Sequence, residues 1–460
     1  DFAPVMNLLK SGDDATLSDD QIRMDVDSIS LAATNLYGFA GIGGAPWEDL
    51  DQDGEITGEE EKWANTNAQG VAILDADMAM ALMRPSLSQI PGVGAVLPKF
   101  ISLKVNIDYA GLIGLEDVVT ANLQDIQVNI NTSIIPGLPP VGALLLALPN
   151  IDYIASFEGE DTNNNFILDE GEDLNLDGLL NRGMEMSSGL NAFYLDFDNE
   201  VLEVAGYAEF KLLGIIELSA GFYMGKRIET VTLHDYVSGT DGTATTVSLS
   251  FAIIEAYGYI GEPSKDGVYW IDANEDGKIT NEDGGAKTSD SVIGVALEDL
   301  SIGFTVMRQT GVATWDDVSD ETEIALNVQG LLTVYAGIVG SLTNIELVGV
   351  PGVELRASDF VLYANFSTLP TLIVDFSKSG DEDENGVRGA FAITVTPTLS
   401  LSFEELDKLM LVVQGSALAR IYSGDFDYIR MSAAFSFEIS TDGMEVFFDG
   451  QLDIANGLMN

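Results

Sequence analysis

The stretch Val119-Thr-Ala-Asn-Leu-Gln-Asp-Ile-Gln-Val128 alternates apolar and polar side chains and carries an acid, Asp125, just before its second apolar run. A period of two sends successive side chains to opposite faces of a strand, so this stretch reads as β. The same texture returns at Ile22 to Leu31, Ile73 to Leu82, Ile293 to Ile302 and Val353 to Leu362. A small or acidic residue precedes the second apolar run in each copy: Ser28, Asp77, Asp125, Asp299 and Asp359. The first three are evenly spaced and the last two are not, so strict periodicity is lost. A second pattern, apolar-x-Gly-x-apolar, centres on Gly206, Gly330, Gly415 and Gly450. Glycine inside a strand marks a bend, a bulge or a close backbone approach. Together these patterns predict an all-β chain: an elongated repetitive sheet, β-solenoid-like or made of stacked β-sandwich units, interrupted by loop insertions. Val71 to Met83 is apolar nearly all round, but its alignment with the other copies makes it a strand. A short helix is expected over 58–67. Three regions follow: 1–150, 151–290 and 291–460.

Composition narrows the function. The 460 residues hold 74 acids against 20 lysines and arginines, a formal net charge of −54, with one histidine and no cysteine. Disulfides, thiolate metal sites, cysteine nucleophiles and multi-histidine zinc sites are excluded. The charge repels phosphate backbones, so nucleic acid is not an expected partner. With 46% hydrophobic residues the chain has enough apolar surface for a core, which argues against disorder. So anionic a chain favours screening or binding by cations. The sequence opens at Asp1 and closes at Asn460 within a strand-like pattern, and is read as a segment of a longer exported chain. The longest apolar run, Ile134 to Leu148, is broken by Pro136, Pro139 and Pro140. It falls short of the roughly 20 residues of a spanning helix, so no membrane span is expected.

The sharpest chemistry lies in acidic loops. Asp49, Asp51 and Asp53 offer side-chain oxygens at alternate positions, Gly54 permits the turn, Glu55 gives its carbonyl and Glu60 closes the loop. A second copy has Asp272, Asn274, Asp276, the Lys278 carbonyl and Asp283, whose arm is shorter than that of glutamate. A tandem pair follows. Its first member offers Asp161, Asn163, Asn165, the Ile167 carbonyl and Glu172, with Phe166 where glycine is usual. Its second offers Asp173, Asn175, Asp177 and the Leu179 carbonyl, and lacks an acid at its last position. A hard cation that takes six to eight oxygens suits these donors, so the expected cofactor is Ca²⁺. Asp381 to Val387 has the spacing of a fifth loop or of a plain hairpin turn.

These loops resemble the calcium loops of EF-hand, dockerin and thrombospondin type 3 modules, over about twelve residues each. None is flanked by two amphipathic helices, so the resemblance implies structural calcium, not a sensor. The strand texture resembles the large, acidic, repetitive surface proteins of environmental bacteria, among them adhesins, fibre and matrix proteins. That resemblance implies an extracellular or cell-surface scaffold.

Enzyme signatures are sparse. The sequence holds no Gly-x-Ser-x-Gly elbow, phosphate-cradling loop or dinucleotide fingerprint. Glu203, Glu209 and Glu217 read as an outward, cation-screened face, and His234 as a turn residue. Trp47 and Trp270 abut acidic loops and read as local packing. The reading is therefore a non-enzymatic, calcium-stiffened structural protein that self-associates into a filament, sheath or surface layer. The alternatives are a calcium-dependent adhesin, a surface-polysaccharide-binding segment and a β-helical glycan-active enzyme.

Overall fold

The computed structural model describes residues 22–49, 65–86, 97–116, 118–137, 145–157, 159–161, 168, 172, 180–187, 193–265, 267–316, 318–382, 387–396, 398–441 and 443–454. Its strands are β1 (Val26–Ile42), β2 (Gln69–Pro85), β3 (Lys99–Ile113), β4 (Val119–Ile134), β5 (Met184–Ser187), β6 (Phe193–Leu195), β7 (Val201–Leu212), β8 (Ile216–Asp235), β9 (Thr240–Gly261), β10 (Gly294–Gln309), β11 (Thr314–Trp315), β12 (Val334–Val348), β13 (Val353–Ser367), β14 (Leu372–Asp375), β15 (Ala392–Thr396), β16 (Leu399–Ser402), β17 (Met410–Ser423), β18 (Phe426–Ser440) and β19 (Gly443–Ile454). The all-β expectation holds, and Val71 to Met83 is indeed strand.

One 15-stranded sheet dominates, in the order β1-β2-β3-β4-β7-β8-β9-β10-β12-β13-β17-β18-β19, with β11 and β14 pairing beside β9 and β8. Every long neighbour pair is antiparallel. The arrangement is an up-and-down meander, not the wound solenoid or stacked sandwiches expected. Similar amphipathic strands recur because each lies in the same sheet, which needs no helical winding. The ladder passes residues 150 and 290 without a break, since β4 pairs with β7 and β9 with β10.

The repeated acid of the sequence pattern has a backbone meaning. Asp125, Asp299 and Asp359 adopt φ of 49°, 51° and 55°, at slips of register between Gln124 and Gln127, Leu297 and Leu300, and Ser358 and Val361. Each is a β-bulge, and short polar side chains tolerate this left-handed region best. In β2 the positive φ falls on Asp75, while the Asp77 carboxylate accepts the backbone N–H of its bulged neighbour Asn35 at 2.9 Å. The glycine pattern splits. Gly415 and Gly450 lie in strands beneath the rings of Phe360, Phe435 and Phe448. Gly330 instead sits in the helix Asp320–Leu332, which Ser319 caps by accepting from Thr322 N–H. Three acids in that helix's first turn favour helix over strand there. Residues 65–67 form a turn where helix was expected, and 58–64 lie outside the described residues.

The two faces of the sheet differ. One, the covered face, is overlaid at its centre by described residues between 369 and 409, where Leu372, Val374, Phe376, Phe391, Phe403 and Leu406 pack on Val231, Leu233, Ile254, Met307 and Tyr335. Glycines make room for this layer: a Cβ on Gly221 would meet Leu399 at 2.2 Å, and one on Gly303 would meet Leu401 at 2.6 Å. Tyr153, Leu195 and the β5–β6 hairpin cover Ala79, Ala81 and Phe100. Tyr269, Trp270 and Ile279 of the 262–293 loop cover Tyr257 and Tyr259, so Trp270 is a packing residue. Trp47 packs likewise, edge-on to Tyr37. No helix among the described residues is long and apolar enough to cross a membrane.

Candidate functional site

The opposite, open face is built by the second half of each strand's alternation. In β3, Ile101, Leu103, Val105 and Ile107 alternate with Ser102, Lys104 and Asn106. They pair in register with Thr132, Ile130, Val128 and Ile126 of β4, which alternate with Asn131, Asn129 and Gln127. The apolar rows continue through Leu202, Val204 and Phe210, then Leu218, Phe222 and Met224, then Phe251 and Ile253, and Ile302 and Phe304. They run on through Ile338 and Leu342, Phe360 and Leu362, Val413, Phe435 and Phe437, and end at Val446 and Phe448. Many of these side chains are exposed: Met224 to 59%, Leu218 to 52% and Phe448 to 72%. Charges on this face gather at one rim: Asp27 with Arg84, Lys99, Lys226 and Arg308. The open-face aromatics are phenylalanines, while the buried Tyr and Trp side chains serve the covered face.

The covered face is polar wherever no apolar layer lies on it. Asn131 Nδ2 donates to the carbonyls of Ile151 and Asn199, and Ser102 Oγ donates to Asn131 Oδ1. Glu203 accepts from Asn129 at 2.8 Å, Tyr223 at 3.1 Å and Arg227 at 2.5 Å. Burial alone would raise the Glu203 pKa, but these partners, Arg227 first, hold it below its ordinary value. Glu217 takes the N–H groups of Tyr269 and Trp270, and burial outweighs them, so its pKa is raised. Glu209 pairs with Lys211 at 2.6 Å and with Asn122. These three glutamates are thus inward anchors, correcting the outward, screened face expected. The alternation was legible, but which face would be covered was not.

Glu229 joins this region beside a cavity of about 440 Å³ lined by Lys104, Asn129, Asp196, Glu203 and Arg227. Burial pushes its pKa up to about 7, against the pull of Arg227 and with the push of Asp381 and Glu203. A larger cavity, about 890 Å³, opens at the far end of the β8–β9 hairpin. There His234 Nδ1 meets Asp241 at 2.6 Å, and Lys378 reaches Asp241 at 3.5 Å and Asp375 at 2.9 Å. The Ser238 hydroxyl is bonded to Asp235 instead.

Of the proposed calcium ligands, Asp272, Asn274, Asp276, Lys278 and Asp283 fall in one tight loop. Asp272 accepts from the N–H of Asp276 and Gly277, and Asn274 Oδ1 from that of Asp276. The Asp283 carboxylate turns back to the N–H groups of Ala273, Asn274 and Thr280. Lys278 Nζ pairs with the bulge acid Asp125, and Gln124 donates to the Gly277 carbonyl, so the loop is pinned to the covered face. Asp161 is fully buried against Arg182 at 3.1 Å, and Glu172 is buried nearby in sequence. Asp49 is described. Asp51, Asp53, Glu55, Glu60, Asn163, Asn165, Ile167, Asp173, Asn175, Asp177 and Leu179 lie outside the described residues. Among the described residues no group of three or more acidic or histidine side chains converges as a metal site.

No protein-family model matches the sequence. No curated protein and no solved structure matches it either. Function must therefore be argued from the surfaces themselves.

Proposed function

We propose that this chain is a membrane-embedded β-wall, with its open face against lipid hydrocarbon and its covered face turned to a polar, partly filled interior. The observation that carries the reading is the open face itself: apolar in register across the sheet, charged only at a rim, and overlaid among the described residues only at that rim, where Leu146, Leu148 and Glu200 lie against Lys226 and Thr132. A water-soluble sheet puts its apolar side inward and its polar side out, whereas here Leu, Ile, Val and Phe point out across the sheet, and Asn, Gln, Ser and Glu point inward wherever no apolar layer lies on that side. That inversion is the sequence signature of strands that cross a bilayer. The length also suits. Ile101 to Leu112 rises about 3.3 Å per residue, so at a tilt of about 40° these rows span about 30 Å, the thickness of a hydrocarbon core. The proline-broken run at 134–148 speaks only to helices, and strands meet the same barrier differently. This proposal places the protein in the envelope membrane of an exporting cell.

The chain has no native cysteine, so single labels are clean. A fluorophore on Met224→Cys, from the open face, should be quenched several-fold more by lipid-attached quenchers than one on Gln414→Cys, from the other face. Equal quenching, or failure of the protein to float with liposomes, would overturn the reading.

The turn geometry of 272–283 supports a second element, a calcium clamp at that loop. Asp272, Asn274, Asp276, the Lys278 carbonyl and Asp283 would hold the ion, neutralising acids and fastening the loop over Tyr207, whose hydroxyl already accepts from Ile279 N–H. Calcium should raise the melting midpoint of the native chain and leave the Asp272→Ala, Asp276→Ala double variant unmoved; equal shifts in both would remove the clamp from this loop.

A further inference from the structure

Among the described residues the sheet has two edges, β1 and β19, each with one side of its backbone unpaired. Natural edges are guarded by charge, proline or shortness. β1 carries one charge, Asp27 at its start; the 15 residues from Ser28 to Ile42 hold no Asp, Glu, Lys, Arg or Pro, and Ile29 and Ile42 are 71% and 70% exposed. Its register against β2 slips twice, between Ala33 and Leu36 at the bulge of Asn35, and between Leu36 and Gly38. β19 carries Glu445, Asp449 and Asp453 on the side facing away from the open face.

We infer that the edge of β1 is a docking strand for the β19 edge of a second copy of this chain, and that the two strands run parallel. The direction follows from the topology. Thirteen strands lie on the hydrogen-bonded path, each antiparallel to the next, so the first and the last point the same way. Joining β1 to β19 of another copy keeps both open faces on one side and both copies upright in the bilayer. Pairing β1 with β1 about an axis normal to the sheet would be antiparallel and would invert one copy across the membrane. Pairing β19 with β19 would also bring the acids of two copies together, whereas β1 sets no acid between Ser28 and Ile42 against Glu445, Asp449 or Asp453. In hydrocarbon an unpaired edge cannot be hydrated, so the contact becomes obligatory there. The upright orientation rests on the lipid reading; the unguarded edge does not.

The test uses single-cysteine copies of the whole chain, mixed in pairs and oxidised: Ser30→Cys or Phe39→Cys with Glu445→Cys or Asp453→Cys. Parallel pairing expects disulfide dimers from Ser30 with Glu445 and from Phe39 with Asp453, several-fold above the crossed combinations. A reversed order, Ser30→Cys copies linking to one another, or a doubly substituted chain that closes only within itself would overturn the inference. So would uniform monomers in liposomes, which would leave the lipid reading standing. Ordered cross-links in lipid-free buffer, from protein that does not float with liposomes, would keep the docking strand and remove the membrane.

Discussion

The centre of the sheet and its β17–β19 flank share one face and differ on the other. At the centre, β8 to β12 turn Val231, Leu233, Ile254, Met307 and Tyr335 inward beneath described residues between 369 and 409. At the flank, β18 and β19 turn Ser432, Ser436, Glu438, Glu445 and Asp449 to that same side, and β19 is exposed along its whole length. Inward composition therefore follows what lies on top of it. Outward composition does not vary: Phe251 and Phe304 at the centre have the same character as Phe435 and Phe448 at the flank. A face that stays apolar whatever is behind it answers to one constant environment, and hydrocarbon is such an environment.

Truncating one ring in each region separates these roles most sharply. Phe376 is fully buried between Phe391 and Phe403, with centroids at 5.8 and 5.7 Å. Phe376→Ala is expected to cost about 3–5 kcal/mol of unfolding stability, the usual range for deleting a buried aromatic ring. Phe448→Ala should cost under about 0.5 kcal/mol in detergent, because its ring already faces outward. Comparable losses in denaturant titrations would mean that something covers the flank.

The rim offers the next largest effect. Lys226 Nζ bonds Glu200 at 2.7 Å and the Leu146 carbonyl at 2.8 Å, and both charged side chains are nearly inaccessible to water. Glu200 also accepts from Thr132 and Leu148 N–H. Lys226→Met should destabilise by about 3 kcal/mol, because it strands a buried carboxylate. Adding Glu200→Gln should restore most of that; a double variant no better than the single would show that the charge was never buried.

A smaller effect is expected from Glu229. Its pKa, raised to about 7 by burial, exceeds the ordinary glutamate value, so the folded state holds a proton that the unfolded chain releases first. Its contribution is therefore fully present below about pH 4.5 and is lost as pH rises through 7. With some water access the swing is on the order of 2 kcal/mol. Glu229→Gln should flatten this slope in melting curves taken from pH 5 to 8; an unchanged slope would assign it to other groups.

The strand class and the recurring acids were legible because a period of two and a repeated Asp are local facts. Asp125, Asp299 and Asp359 stand out in the sequence by position alone. Which face would be covered was not legible, because the covering layer, between residues 369 and 409, lies well over a hundred residues from Val231 and Leu233, which it buries. The loop at 272–283 was found by spacing alone. The role of Glu217 escaped, since its partners are the N–H groups of Tyr269 and Trp270, and backbone donors leave no mark on a sequence. Gly330 misled because apolar-x-Gly-x-apolar fits a helix interior as readily as a strand when a cap and first-turn acids precede it.

The bulge row offers the finest comparison, between what the acid's side chain contributes and what its backbone costs. At Asp359, φ is 55°, and the carboxylate accepts from Ser358 and Ser416 at 2.9 and 3.3 Å. Glycine would relieve the left-handed strain, a gain of about 0.5–1 kcal/mol, while losing one or two exposed hydrogen bonds of similar worth. Asp359→Gly is therefore expected to stay within about 0.5 kcal/mol of native, with Asp359→Val about 1–2 kcal/mol below it, because a β-branched side chain tolerates that backbone worst. If valine matched glycine in thermal melts, the register slip between Ser358 and Val361 would not be a fixed bulge. The recurring acid would then serve its side chain alone, and the sheet would lose the row of bends that the sequence pattern marks.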